Sequence, residues 1–173
     1  MSVSQAATLA DVIRLQAQMR GESTALVFEG RATSFATLDA HASRVANGLI
    51  ALGVTPKQRI AYLGKNSDVF IELLLGAIKA GVVMAPVNWR LAAPEIAFIV
   101  RDCQAAILFV GPEFIEQVRD LVPQIPDVRF IMTTEGGASE WPDFRSWRED
   151  QSKSDPRVPL VRYVAGPGSS RSA

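Results

Sequence analysis

The stretch LLLGAIKAGVVMAPVNWRL, residues 73–91, decides the fold of this chain. It predicts the end of an apolar helix at Gly81, a short strand over residues 82–85 that stops at Pro86, and then a polar loop over residues 88–90. Glycine ends helices in the left-handed conformation at no steric cost, and proline cannot donate to a β-ladder. Because the strand has no polar residue, we expect both of its faces to be covered, as in a parallel sheet flanked by helices.

The helix before this strand is predicted over residues 67–80. Its apolar residues recur at three- and four-residue spacing and form one broad face: Val69, Phe70, Leu73, Leu74, Ala77 and Ile78. Asn66 or Ser67 is placed to cap its start, while Asp68 in the first turn and Lys79 in the last turn suit the helix dipole. A helix and a buried strand in this order favour a layered α/β fold.

Outward from that stretch, helices and strands alternate. Helices are predicted over residues 9–19, 35–52, 67–80, 94–102 and 113–122, with a short one over 141–149; strands are predicted over 24–28, 31–34, 59–63, 82–85, 106–110 and 128–132. Ser34 is placed to cap the second helix, and Glu29-Gly30 predicts a hairpin turn. The predicted fold class is α/β, with a largely parallel sheet flanked by helices on both faces and a small N-terminal β-hairpin.

Composition narrows the class of protein and its partners. The chain has 173 residues, of which 48% are hydrophobic, and its 18 basic and 18 acidic residues cancel. No nucleic acid or anionic membrane partner is therefore expected. Its single cysteine, Cys103, excludes an internal disulfide, and no apolar run reaches transmembrane length, so we expect a cytoplasmic protein. We expect residues 1–150 to form one α/β subdomain and residues 151–173 an irregular, partly flexible tail.

Six short pieces of the chain, in this order and spacing, resemble one family. They are Ser34-Phe35-Ala36-Thr37-Leu38, Leu52-Gly53-Val54, Arg59-Ile60-Ala61, Asn66-Ser67, Ala80-Gly81 and Pro86-Val87-Asn88-Trp89-Arg90-Leu91. The ordered set is similar to the amino-terminal part of an acyl-CoA synthetase of the adenylate-forming (AMP-binding, ANL) superfamily. The similarity covers about residues 8 to 150.

The resemblance implies a two-step reaction in the full-length family. A fatty or aromatic carboxylic acid reacts with ATP and magnesium to an acyl-adenylate, which is then ligated to coenzyme A. The resemblance also implies a phosphate-binding loop near residue 163, with paired threonines, a serine and a lysine. This chain has Tyr163-Val164-Ala165-Gly166-Pro167-Gly168 there, followed by Ser169, Ser170 and Arg171. Because the paired hydroxyls and the lysine are missing, we expect a truncated subdomain that is catalytically inactive alone and holds no cofactor.

Three sets of residues invite a functional interpretation. His41 has no partner at metal or catalytic spacing, so we interpret it as a structural or surface histidine. Cys103 follows a helix end with only Arg101 nearby, and we interpret it as an inert side chain. Asn88, Trp89 and Arg90 are the best candidates, because open α/β sheets bind ligands at the carboxyl ends of their strands. A structural turn with Trp89 packed on a neighbouring subdomain is the alternative, and we assign no catalytic, cofactor or metal residue.

Two other classes of function remain open from the sequence. One is a non-catalytic interaction module, a degenerate paralogue that dimerises through its sheet or docks on the remainder of an enzyme. The other is a small nucleotide-binding α/β domain, although the chain contains no Walker loop and no G-x-G-x-x-G.

Overall fold

The helices and strands begin and end close to the predicted positions, because most of these ends are encoded locally. The computed structural model describes residues 8–136 and 140–159. The strands are β1 Thr24–Phe28, β2 Arg31–Ser34, β3 Arg59–Leu63, β4 Val83–Val87, β5 Ala105–Val110 and β6 Phe130–Thr133. The helices are α1 Leu9–Arg20, α2 Phe35–Ala51, α3 Asp68–Ala80, α4 Ala93–Asp102, α5 Ile115–Leu121 and α6 Phe144–Glu149. Residues 160–173 of the predicted tail, which include the segment around Tyr163, lie outside the described residues.

Four parallel strands form the main sheet, in the order β4-β3-β5-β6. Helices α2, α3 and α6 contribute to the apolar cluster on one face, and α4 and α5 to the cluster on the other. All six residues of β5 are buried, as expected for a central strand between two helical layers. The predicted fold class, a parallel sheet flanked by helices on both faces, is therefore confirmed.

The predicted hairpin is also confirmed. Strands β1 and β2 pair antiparallel as a separate two-stranded sheet. Glu29 and Gly30 both have positive φ, 48° and 78°, which is the backbone of the two-residue turns that match the twist of a hairpin.

Side chains and one glycine fix the helix ends as predicted. The Ser34 hydroxyl accepts a hydrogen bond from the backbone amide of Thr37 at 3.2 Å, and Ser67 accepts one from Phe70 at 3.2 Å. Gly81 ends α3 with φ of 71°, in the left-handed region. These ends place the loops after β3 and β4 at the same edge of the sheet.

Two expectations about β4 are wrong. The strand does not stop at Pro86 but runs through it to Val87, and Pro86 lies opposite Tyr62 in the register. Among the described residues β4 is an edge strand with no ladder partner on one side, and the missing proline amide is tolerated there. Its faces are also incompletely covered: Val83 is 51% exposed and Pro86 is exposed. An apolar run therefore did not distinguish an edge strand from a central one.

The region after β5 departs from the predicted helix over residues 113–122. A 3₁₀ turn, Pro112–Phe114, precedes α5, which is only seven residues long. A second 3₁₀ turn containing Pro123 follows it, because proline prevents continuation of the α-helix. The short helix predicted over residues 141–149 begins at Phe144, where Asp143 caps it through the amide of Ser146 at 2.9 Å.

Helix α6 is seated by aromatic packing. The ring of Phe144 packs edge-on against Phe109 of β5 with centroids 6.1 Å apart, and Trp147 lies 5.9 Å from Phe144. The indole of Trp147 also occupies the space beside Gly48 of α2 where a Cβ atom would lie. Glycine at position 48 is therefore what permits α2 and α6 to approach each other.

Candidate functional site

The carboxyl ends of the four parallel strands meet at one edge of the sheet, which we call the carboxyl edge. Strand β3 is followed by α3 and β4 on one side, whereas β5 and β6 extend the sheet on the other side. The connections after β3 and β5 therefore leave in opposite directions, and a crevice opens between them. This crevice is the place where open α/β sheets bind ligands.

An ion pair bridges this crevice. The ammonium of Lys65, after β3, lies 2.9 Å from the Glu113 carboxylate, after β5, and their side chains are 57% and 43% exposed. The hydrogen bond from Lys65 lowers the pKa of Glu113 below its ordinary value. A pair this exposed contributes little stability, so both groups remain available to a ligand. No local pattern in the sequence predicts this pair, because it depends on the strand order.

A buried tyrosine holds the loop that carries Lys65. The Tyr62 hydroxyl donates to the Lys65 carbonyl at 2.7 Å, and its ring packs edge-on against Phe70 with centroids 5.1 Å apart. Tyr62 is 2% exposed, and burial raises the pKa of its hydroxyl. The phenol therefore stays neutral and acts as a structural donor rather than as a base.

The predicted loop at Asn88, Trp89 and Arg90 lies at the same edge, after β4. The Asn88 side chain accepts from the Arg90 backbone amide at 3.1 Å, which closes a tight turn. The ring centroids of Trp89 and Phe114 lie 6.0 Å apart. The Arg90 guanidinium stacks over the Trp89 ring, with its central carbon 4.1 Å from the ring centroid. Trp89 thus packs on the loop after β5 of the same domain, while Arg90 stays exposed at the edge.

Charge divides the carboxyl edge into two halves. One cavity, of about 500 Å³, has Lys65 and Arg90 in its lining and no acidic side chain; we call it the cationic half. The other, of about 350 Å³, shares Lys65 but is lined by Glu29, Glu113 and Glu135. An anionic ligand is therefore favoured at the cationic half, beside Trp89.

His41 and Cys103 take structural places. The Nδ1 atom of His41 lies 2.9 Å from the Glu72 carboxylate and 3.2 Å from the Arg148 guanidinium, within the helical layer. Burial raises the pKa of the Cys103 thiol, which disfavours the reactive thiolate. Neither residue lines the two cavities of the carboxyl edge.

Three charged side chains of α3 point inward, and we call them the α3 ion stripe. Asp68, Glu72 and Lys79 are 5%, 2% and 0% exposed. Each is neutralised by a residue that follows β6: Arg145 for Asp68 at 3.1 Å, Arg148 for Glu72, and Asp155 for Lys79 at 3.1 Å. Spacings of four and seven residues put the stripe on one helix face, so this charged periodicity is a signal present in the sequence itself.

Asp155 contacts two cationic side chains, Arg14 and Lys79. Arg14 of α1 donates to its two oxygens at 2.6 and 2.9 Å, while Lys79 also contacts Asp39 at 2.7 Å. Burial alone would raise the pKa of Asp155, but the hydrogen bond from Arg14 and the nearby Lys79 charge hold it well below its ordinary value. The described part of the predicted tail, residues 151–159, is thereby tied to α1 and α3.

Neither a metal centre nor a membrane span is evident. Within residues 8–136 and 140–159, no three His, Cys, Asp or Glu side chains are grouped closely enough to hold a metal ion. No helix in that same part of the chain is long and apolar enough to cross a bilayer.

Comparison with known proteins gives consistent matches. The sequence profile described as AMP-binding enzyme matches residues 13–164. A fatty acid–acyl-carrier-protein ligase of Streptomyces coeruleorubidus is 34% identical over 153 residues, which are 88% of this chain and 28% of the relative. An indoleacetate–CoA ligase of Aromatoleum aromaticum is 33% identical over 156 residues, again 88% of this chain but 30% of the relative.

Solved structures of acid ligases also match the fold of this chain. An anthranilate CoA ligase in complex with anthranoyl-AMP superposes with a TM-score of 0.80 at 27% identity, over 84% of this chain and 28% of that protein. A fatty acyl CoA synthetase of Mycobacterium tuberculosis gives a TM-score of 0.76 at 27% identity, over 87% and 30% of the two chains. The chain thus spans less than a third of the length of these relatives. Since the profile match covers most of its residues, the chain belongs to the AMP-binding enzyme family.

Proposed function

We propose that this chain is the N-terminal α/β subdomain of an acyl- or aryl-CoA synthetase, which ligates a carboxylic acid to coenzyme A through an acyl-adenylate. Residues 1–150 would form the subdomain and residues 151–173 an irregular, partly flexible tail. The relatives support an acid ligase, since their names specify a fatty acid and indoleacetate as substrates. The proposal includes the cytoplasm as the compartment, because a chain with a single cysteine suits a reducing environment.

The observation that carries the proposal is the cationic half of the carboxyl edge. The carboxylic acid, ATP and coenzyme A are all anions, so a ligase must supply positive charge where they meet. Lys65 and Arg90 line this cavity with Trp89, and no carboxylate lines it; Glu113 pairs with Lys65 from the neighbouring cavity. We infer that these three residues contact a phosphate-bearing part of a substrate.

The described residues do not fit a complete site for magnesium and ATP. The second cavity of the carboxyl edge, lined by Glu29, Glu113 and Glu135, repels phosphates. The described ranges also contain no cluster of three metal-ligating side chains. In the full-length family, ATP, magnesium and coenzyme A would be held largely by other parts of the polypeptide. The chain alone is therefore proposed to hold no cofactor and to be catalytically inactive.

Pyrophosphate release tests the inactivity directly. The purified chain is incubated with ATP, magnesium and a panel of fatty and aromatic acids, and released pyrophosphate is measured against a reaction without protein. We expect no release above that background. Acid-dependent release would refute the inactivity of the chain while leaving its family membership untouched.

Ligand-dependent thermal stabilisation tests the cationic half. If inorganic pyrophosphate, used as a probe of the phosphate contacts, binds with a Kd of about 1 mM, 10 mM ligand stabilises the fold by about 1.4 kcal/mol, a Tm increase of roughly 4 °C. Lys65→Gln and Arg90→Gln should remove most of this increase. Arg129→Gln is the matched control, because Arg129 is exposed just before β6, at the opposite edge of the sheet. An equal loss in all three variants would contradict the assignment.

A further inference from the structure

Lys65 lies on the boundary between the two cavities of the carboxyl edge, since its side chain lines both of them. On one side its ammonium contacts the Glu113 carboxylate at 2.9 Å. On the other side the same ammonium lies 5.7 Å from the centroid of the Trp89 ring, over which Arg90 also stacks. Lys65 thus borders the cationic half while it is paired with a carboxylate of the neighbouring cavity.

The carboxylate of this pair is held more firmly than the ammonium. Glu113 lies in the 3₁₀ turn Pro112–Phe114. The buried ring of Phe114 anchors this turn, and the Phe114 amide donates to the Gly111 carbonyl at 3.0 Å. A Cβ atom built on Gly111 would lie only 3.1 Å from the Glu113 carboxylate, so this group is close to the backbone. Lys65 carries its charge on a flexible four-carbon stem that is 57% exposed, and it is therefore the side chain that moves when the pair separates.

The two cations of the cationic half differ in their availability. Within the described ranges Arg90 forms no ion pair, and its guanidinium is kept beside the cavity by stacking on Trp89. The backbone of Lys65 is held by the Tyr62 hydroxyl, which donates to the Lys65 carbonyl at 2.7 Å, so only the lysine side chain is free to swing. An anion beside Arg90 therefore gains the second cation only by separating Lys65 from Glu113.

We propose that Glu113 is a gate for the cationic half: its carboxylate holds Lys65 until an anionic ligand beside Arg90 takes the ammonium over. This inference rests on the proposed function, since it requires that Lys65 and Arg90 contact a phosphate-bearing group. Glu113 is then a positioning residue, which acts on the ligand only through Lys65. Because each binding event replaces one anion on Lys65 by another, the separation of the pair offsets part of the attraction between the ligand and the lysine.

NMR chemical-shift titration of the whole chain with inorganic pyrophosphate, at pH 7 and about 0.1 M salt, tests the gate. Glu113→Gln leaves Lys65 without its carboxylate, so the dissociation constant should fall about three-fold, the scale of an exposed ion pair. Glu135→Gln is the matched control, because Glu135 lines the same cavity but pairs with Arg145 at 2.9 Å. Its replacement removes the same charge and should change the constant by less than about 1.5-fold. An equal gain in the two variants would overturn the gate, because the general field of that cavity would then explain it.

A double variant shows whether Glu113 acts through Lys65. Lys65→Gln should weaken pyrophosphate binding, and adding Glu113→Gln to it should change the constant by less than about 1.5-fold, since no ammonium remains to be released. A three-fold gain in that background would overturn the proposal. A purely structural role of Glu113 would lower the melting temperature of Glu113→Gln without tightening binding, and that result would overturn it as well.

The same titrations separate the gate from the proposed phosphate contacts. Binding that Lys65→Gln and Arg90→Gln weaken, but that Glu113→Gln does not strengthen, would refute the gate alone. Absence of pyrophosphate binding in the wild type and in every variant would refute the phosphate contacts themselves, and the gate with them.

Discussion

Asp155→Asn removes the charge that joins α1 to the α3 ion stripe. Removing one partner of a buried pair typically costs 3–5 kcal/mol, but Asp39 still neutralises Lys79 at 2.7 Å. The free energy of unfolding should therefore fall by about 2–3 kcal/mol at pH 7. Urea denaturation measures this loss as a lower midpoint with an unchanged slope.

The pH dependence distinguishes a charge effect from a packing effect. Because the folded chain holds the pKa of Asp155 below its ordinary value, the stabilisation is complete above the unfolded pKa and is lost as pH falls. The difference in free energy of unfolding between the wild type and Asp155→Asn should stay constant from pH 7 to 5. It should then shrink by about 1.4 kcal/mol per pH unit below pH ~3.9.

Asp127→Asn is the matched control, because Asp127 is an exposed aspartate for which a change within about 0.5 kcal/mol is expected. A loss of less than about 0.5 kcal/mol in Asp155→Asn would show that this carboxylate does not stabilise the fold. A loss that is the same at pH 3 as at pH 7 would also refute it, because the charge would then not be its cause.

Other predictions follow from single contacts. Ser34→Ala removes the acceptor for the Thr37 amide and should cost about 1 kcal/mol in urea denaturation, with Ser34→Asp close to wild type. Gly48→Ala forces a methyl group against the Trp147 indole and should cost about 1–3 kcal/mol by the same assay; unchanged stability would contradict the close approach. Cys103 should react with iodoacetamide more slowly than a free thiol, and its rate should rise only at more alkaline pH, because burial raises its pKa.

Local signals were sufficient for most of the fold. Ser34, Ser67 and Gly81 each determine a helix end through contacts within a few residues, so their roles are evident in the sequence. Alternating helices and strands likewise predicted the parallel sheet. Pro86 was misinterpreted because its effect depends on whether the strand lies at the edge or in the centre, which only the strand order decides.

The candidate site was harder to predict because its parts are distant in the sequence. The loop at Asn88, Trp89 and Arg90 was found from its position after a strand. The pair between Lys65 and Glu113 depends on β3 lying beside β5, and no local pattern encodes that neighbourhood. The position of such a crevice follows from the strand order, so the charged loop residues can be recognised as neighbours only once the sheet is assembled.

The α3 ion stripe also orders events during synthesis. Lys79 and Asp155 are 76 residues apart, and at 5–20 residues per second a ribosome needs about 4–15 s to make the intervening stretch. Throughout that interval Lys79 has Asp39 as a countercharge but not Asp155, and Glu72 has His41 but not Arg148. A nascent chain that ends before residue 145 would therefore hold the α3 ion stripe with fewer countercharges than the finished domain, and its helical layer is expected to open more readily.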